Sequence, residues 1–400
     1  RSFHVTGVQT CALPISELSA GYLDSVKTYI ERYSRSIGPY PYSEFSVVSS
    51  PTPTGFGMPT LTYLGIDVLR LPFIRATSLG HEVLHNWWGN GVYPDYAHGN
   101  WSEGLTTFMA DYAYKEDDSA DAARAMRLEW LRDFASVPPG QDRPLAEFTS
   151  RTHGTSQIVG YGKAAMVFLM LRDLIGADAF DAGIRRFWRE RQFKLASWND
   201  LQNAFAAEAK RDLSAFFTQW LTRAGAPRIV IDGAQAGDAV QIKLAQPAPP
   251  YALDVPLAFR SAARTEFRRS TFDSVSATLA FKLDAKPDEV LLDPDLRLFR
   301  RLERNEAPPL LRETMVDPAV VTVIVGDESG VVAAARTLAE AYPGRFLLGI
   351  GVSHAPSVAA RGSVYERPVE RMRAYLDAMD AVAYVGPAPA EKPPALNRTW

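Results

Sequence analysis

The sequence predicts an α+β chain in which a mainly helical segment is followed by a small antiparallel β-sandwich and then by an incomplete α/β segment. Three observations predict it. Apolar residues recur at helical spacing over much of residues 17–222. From 226 to about 303 apolar and polar residues alternate between turn signals. Beyond that, strand-like and helix-like runs follow one another. Four hundred residues suffice for two or three domains, each with its own core.

Each element has its own signal. Leu23, Val26, Ile30 and Tyr33 mark a helix over 17–37, which "GPYPY" ends. "FSVVSS" (45–50) and "TLTYLG" (60–65) read as strands around the Pro/Gly-rich loop "PTPTGFGMP". Helices are expected from about Ser78 to Thr222, with breaks at "VPPGQDRP" (137–144) and "GAD" (176–178). After "GAPR" (225–228) come the strands "RIVIDG", "AVQIKLAQ", "YALDVPLAFRS" and "ATLAFKLDA". The tail runs strand "VVTVIVGD", helix "VVAAARTLAEAY", strand "RFLLGIGV", helix "PVERMRAYLDAMD".

Composition excludes several classes. A net charge of -3 gives no reason to expect nucleic acid or an anionic membrane as partner. The longest apolar run, "AAMVFLML" (164–171), is too short to span a bilayer. The single cysteine, Cys11, lies in "VTGVQTCALPI" (5–15), which resembles the translation of a sequencing adapter. With residues 1–15 set aside no cysteine remains, which excludes disulfides and thiol catalysis. On this reading any leader or N-terminal domain of the parent protein is missing, and neither compartment nor oligomeric state carries a signature.

"HEVLHNWWGN" (81–90) carries the chemistry. On a helix His81 and His85 share a face, with Cβ atoms about 6 Å apart, so that two imidazoles reach one tetrahedral zinc. Glu82 neighbours the first ligand, where its carboxylate can take a proton from water that zinc has acidified to a pKa of about 7. A catalytic zinc needs a third protein ligand and an open fourth position. "NWSEGLTTF" (100–108) offers Glu103, with seventeen residues between it and His85. The metzincin pattern is absent: Trp88 stands where that motif has Gly, and no third His follows. A lone histidine here would read as a core residue, but the full pattern with Glu103 points to one zinc ion. Trp87 and Trp88 read as packing.

"HEVLHNWWGN", "NWSEGL" and "VGYGKAAMVFLML" together resemble the gluzincin zinc aminopeptidases, the family of membrane alanyl aminopeptidase and leukotriene hydrolase. The resemblance covers residues 17–303 and implies a thermolysin-like, mainly helical catalytic domain over 16–225, with the sandwich over 226–303. Trp87, Gly89 and Asn90 match the family's Trp-x-Gly-Asn segment, and Ser102, Glu103 and Gly104 match its Asn-Glu-Gly turn. Tyr161, followed by Gly162 and Lys163, takes the place of a tyrosine that stabilises the tetrahedral intermediate. By itself, Tyr161 reads equally well as a buried structural tyrosine. The resemblance thus implies a metallopeptidase acting on peptides, with Glu82 as general base and Tyr161 as oxyanion donor. Two departures stand out. The family has eighteen residues between the second histidine and the glutamate, and it reads the substrate amine with a glutamate in a Gly-x-Met-Glu-Asn strand. "GFGMPT" keeps Gly57 and Met58 for substrate binding but has Pro59 at the glutamate position. Proline supplies neither a carboxylate nor an N–H.

Residues 331–396, with "GRFLLGIGVSHAPSV" and "YERPVERMRAYLDAMDA", resemble a piece of the luciferase-like flavin- or deazaflavin-dependent oxidoreductases, which are TIM barrels. So few βα units close no barrel. The expectation is a 304–330 junction with the joint near Asp327–Val331, an orphaned His354 and no redox activity. Two other functions are weighed: a non-catalytic, zinc-containing peptide-binding scaffold, and an oxidoreductase resting on the tail alone. A serine hydrolase has no support, since no Gly-x-Ser-x-Gly occurs.

Overall fold

Helix α1 (Ser16–Ser36) turns Tyr22, Val26, Ile30 and Tyr33 inward at steps of three and four, while Leu23 stays half-buried on its flank. Its tyrosines reach segments more than forty residues further along the chain: Tyr22 donates to the Leu69 carbonyl (2.9 Å) and Tyr33 to that of Gly80 (3.0 Å). In this computed structural model the described residues are 16–51, 55–71, 73–137, 140–150, 154–236, 239–262, 264–303, 306, 348–349, 364, 366–381 and 398–399. The Cys11 segment, His354 and, except for residue 306, the 304–330 junction lie outside them.

Three strands come next: β1 (Ser46–Ser50), β2 (Gly55–Met58) and β3 (Leu61–Gly65), in the order β1-β3-β2. β1 runs parallel and β2 antiparallel to β3. Strand β2 occupies a stretch that composition marks as loop. Gly55 and Gly57 have low strand propensity, but the turn at Pro59–Thr60 folds the segment back onto β3, pairing Met58 with Leu61. Thr60 takes a left-handed φ of 64° there, and its N–H donates to Asn86 Oδ1 (2.9 Å). A side chain beyond the strand thus holds the turn that local sequence does not favour.

The helical run contains α2 (Ile66–Leu69), α3 (Ser78–Leu84), α4 (Ser102–Thr107), α5 (Ala113–Asp118), α6 (Ala120–Ala135), α7 (Thr155–Gln157), α8 (Ala164–Ile175), α9 (Ala177–Arg191), α10 (Trp198–Ala209) and α11 (Ser214–Thr222). Besides the expected breaks, it is interrupted between α3 and α4. Gly89 takes a φ of 112°, which an L side chain rarely adopts, and the Asn90 N–H donates back to His85 O (3.0 Å). The chain then pairs β4 (Tyr93–Pro94) with β5 (Leu195–Ala196). Helix α8 lies at the centre of the core, with every residue from Ala164 to Leu171 buried. Glycine permits two close approaches: a methyl at Gly104 would lie 2.2 Å from Ala164 Cβ, and one at Gly183 2.4 Å from Phe205.

Strands β6 (Val230–Ala236), β7 (Val240–Ala245), β8 (Leu253–Arg260), β9 (Thr265–Phe272), β10 (Ser276–Phe281) and β11 (Glu289–Leu292) form two three-stranded sheets, β10-β7-β6 and β11-β8-β9, with all pairs antiparallel. Alternation buries Val240, Ile242 and Leu244 on β7 and Leu253, Val255 and Leu257 on β8. The β segment packs on the helices through Phe134–Phe299 (ring centroids 4.7 Å) and Trp220–Tyr251 (5.2 Å), with Arg127 donating to Asp295 O (2.9 Å). Both belong to one compact unit, residues 1–318. In the second unit, residues 319–400, the described elements are α12 (Pro368–Ala381) and the parallel pair β12 (Leu348–Gly349) and β13 (Arg398–Thr399). The expected strand "VVTVIVGD" and helix "VVAAARTLAEAY" lie outside the described residues. No described helix is long and apolar enough to cross a membrane.

The α9–α10 contact tests this packing. Phe205 is fully buried and stacks on Phe180 (4.9 Å), so its ring cannot swing away from an added methyl group. Gly183→Ala is therefore expected to lower unfolding stability by about 1–3 kcal/mol, read from chemical denaturation. An unchanged midpoint would contradict this packing.

Candidate active site

Helix α3 and the residue that caps it bring His81 and His85 to one face, with imidazole centroids 4.9 Å apart. Helix α4 brings Glu103 against them: its Oε2 lies 3.6 Å from His81 Nε2 and 3.4 Å from His85 Nε2. The three side chains offer ligand atoms within 4.8 Å of one another. Aromatic packing sets the distance between the helices. Trp88 and Trp101 are fully buried and meet edge-to-face (6.1 Å), and Phe187 closes the cluster. Trp101 also donates to Ala196 O (2.7 Å).

The outer nitrogens fix how the rings point. His81 Nδ1–H donates to Asp111 Oδ2 (2.6 Å) and His85 Nδ1–H to the Trp88 carbonyl (2.9 Å), which leaves both Nε2 atoms to face Glu103. Asp111 escapes a reading of spacing. Eight residues of α-helix would leave it about 80° off the face of Glu103. A π-helical turn over Phe108–Tyr112 absorbs one residue and brings it round. No residue type in that stretch announces such a turn.

Electrostatics make this a place for positive charge. Burial opposes charge on His81 and His85, yet Asp111 and Glu103 outweigh it and raise both imidazoles, His81 well above its ordinary range. Burial alone would raise the Glu103 carboxyl too, but the two imidazoles hold it well below the usual carboxylate range. The 3.4 and 3.6 Å separations are long for charge-assisted hydrogen bonds, and Glu103 Oε2 is buried with no hydrogen bond among the described residues. They suit metal coordination instead: bonds of about 2.0–2.1 Å at tetrahedral angles put ligand atoms about 3.3–3.4 Å apart. The residues present therefore fit a divalent ion.

The remaining expected residues surround this cluster. Glu82 sits beneath strand β2: a methyl on Gly57 would lie 2.6 Å from Glu82 Oε2 and 3.3 Å from His85 Cβ. Met58 and Phe56 on the same strand are exposed, and among the described residues β3 is the one strand paired with β2, while Asn90 Nδ2 donates to the Gly57 carbonyl (3.5 Å). Tyr161 stands on a second π-helical turn, Ile158–Lys163, its ring parallel to that of His81 (6.5 Å, 11°) and edge-on to Phe148 (6.1 Å). Trp87 is fully buried and donates to Gly38 O (3.0 Å). Asn86, which the motif leaves as a variable position, is buried and joins the two ends of the site: Nδ2 donates to Val83 O (3.0 Å) while Oδ1 holds the β2–β3 turn. Because Asp111 orients His81, Asp111→Ala is expected to weaken metal affinity about 10- to 100-fold, measured by competition with a chelator. Unchanged affinity would remove Asp111 from the site.

Comparison with known proteins bears on the same segment. Residues 75–220 match the Peptidase family M1 domain. Tricorn protease-interacting factor F2 of Thermoplasma volcanium is 26% identical over 233 residues, 52% of this chain and 29% of that protein. Aminopeptidase N of Haemophilus influenzae is 28% identical over 218 residues, 49% of this chain and 25% of that protein. The chain thus spans less than a third of the length of these relatives. Among solved structures, Legionella pneumophila aminopeptidase A in complex with aspartic acid superposes with a TM-score of 0.58 at 15% identity, over 82% of this chain and 39% of that one, which shows a shared fold. These matches support the resemblance to the gluzincin aminopeptidases for the part of the chain that carries the His81–His85–Glu103 cluster.

Proposed function

We propose that the chain is a zinc-dependent metallopeptidase of the aminopeptidase type, holding one zinc ion on His81, His85 and Glu103. The observation that carries this reading is Glu103 Oε2, buried with no hydrogen bond among the described residues and facing two imidazole nitrogens at 3.4 and 3.6 Å. A zinc ion held there would supply Lewis acidity and water acidified for attack at neutral pH. Glu82 takes the proton from the attacking water and delivers it to the leaving amine, as a carboxylate beside the first ligand can. Tyr161, stacked over His81, donates its phenolic hydrogen to the oxyanion. The edge of β2 that has no strand neighbour pairs with the backbone of an extended peptide, and Gly57, lacking a side chain, lets strand and peptide lie close over Glu82.

Pro59 marks the limit of this likeness. It is exposed in the turn after β2 and offers no carboxylate for a substrate ammonium. It favours a second reading, a zinc-containing scaffold that binds peptides without cleaving them. One comparison separates the two: zinc-loaded protein with a peptide whose N-terminus is free, and the same peptide N-acetylated. The proposal expects cleavage of the free form. Equal cleavage of both would make the chain an endopeptidase or a loose exopeptidase, and zinc binding with no cleavage of either would establish the scaffold. In the same assay Glu82→Gln is expected to keep zinc while kcat falls about 10²- to 10⁴-fold, whereas Glu103→Ala loses zinc. Full activity in Glu82→Gln would rule the mechanism out.

A further inference from the structure

Lys163 is 1% exposed, and among the described residues no carboxylate bonds to its ammonium. Its Nζ donates to two backbone carbonyls, Arg223 O (3.0 Å) and Gly225 O (3.1 Å), and lies 5.7 Å from the centre of the Phe299 ring. Burial, with the Arg223 guanidinium nearby and Asp142 acting in opposition, pulls its pKa down to about 8. A buried cation without an ion-pair partner is costly. The carbonyls that hold it sit where α11 gives way to the β segment, at a turn in which Gly225 takes a φ of 84°. Phe299 lies beyond the last strand of that segment and packs on Phe134 of α6.

Lys163 closes the π-helical turn that carries Tyr161, two residues before it. Two residues turn an α-helix through about 200°, and a π turn through somewhat less, so Lys163 leaves the backbone on the side opposite Tyr161. Both neighbours of Tyr161 are glycines whose missing side chains make room for others: a methyl at Gly160 would strike the Phe148 ring at 2.2 Å, and one at Gly162 would meet Trp130 at 3.2 Å. Bulky side chains therefore pack on both sides of the phenol, and Lys163 ties the turn to the chain behind it.

We propose that Lys163 is a positioning residue for Tyr161: its ammonium ties the back of the π turn to the Arg223–Gly225 carbonyls and Phe299, so that the β segment determines where the phenol stands over His81. The idea rests on the role proposed for Tyr161 as oxyanion donor. A single 3-fluorotyrosine at position 161 of the full chain reads the phenol directly by fluorine NMR, without turnover. Lys163→Met, close in length but without donors, is expected to shift and broaden that resonance. On peptide it is expected to lower kcat about 10- to 100-fold with KM and zinc content unchanged, and to cause no further loss of kcat in a Tyr161→Phe background. Phe299→Leu, a milder change, is expected to move the same resonance and keeps the proposal testable if Lys163→Met does not fold. An unmoved resonance in the folded variants, or additive losses of kcat with Tyr161→Phe, would overturn the proposal. Should the parent chain bind zinc and cleave no peptide, the peptidase reading fails, while the fluorine resonance still decides the role of Lys163.

Discussion

A carboxylate oxygen buried without a donor destabilises a fold by roughly 1–3 kcal/mol, and by more when it is charged. Glu103 Oε2 makes no hydrogen bond among the described residues and is offset only by long ion pairs with two imidazoles that turn their Nε2 atoms toward it. Much of the helical core is arranged so that this oxygen stays where it is. Gly104 lets α4 lie against α8, Trp88 and Trp101 set the spacing between the segments that carry His85 and Glu103, and Asp111 with the Trp88 carbonyl keeps the rings from turning away. A divalent ion held there would give the oxygen a coordinate bond in place of these long ion pairs and would replace protons on the imidazoles.

Two π-helical turns stand beside the cluster, and each re-aims a side chain that a regular helix would misplace or hold less firmly. The Phe108–Tyr112 turn brings Asp111 onto the face of Glu103, and the Ile158–Lys163 turn presents Tyr161 to His81 while Lys163 faces the β segment. Such turns cost regular hydrogen bonding and persist where tertiary packing holds them. Here the packing comes from buried residues on either side: Phe108 and Tyr112 stack on each other, and Ile158, Val159 and Lys163 are buried. The helical segment and the β segment are thereby joined mechanically as well as by contact area.

What could be read from sequence divides along these lines. The His81–Glu82–His85 pattern, Glu103 and the buried face of α1 depend on local periodicity, and periodicity is written in residue order. The alternation of β7 and β8 is legible for the same reason. Strand β2 was hidden because Gly55, Gly57 and Pro59 have the composition of a loop, and the Asn86 contact that holds the turn comes from a distant residue. Asp111 was hidden because a π turn changes the helical count without changing composition. The structural partners of Lys163 lie sixty and more residues away along the chain, beyond the reach of any motif. Residues 1–15 and most of residues 331–396, where an adapter-like start and a luciferase-like tail are expected, fall outside the described residues.

Whether His81, His85 and Glu103 together hold zinc is read most directly from crystals grown with one equivalent of zinc, by anomalous scattering at the zinc absorption edge. A single strong peak is expected about 2.0–2.2 Å from both Nε2 atoms and from a Glu103 oxygen. A peak on other residues, or none between these three side chains, would contradict it.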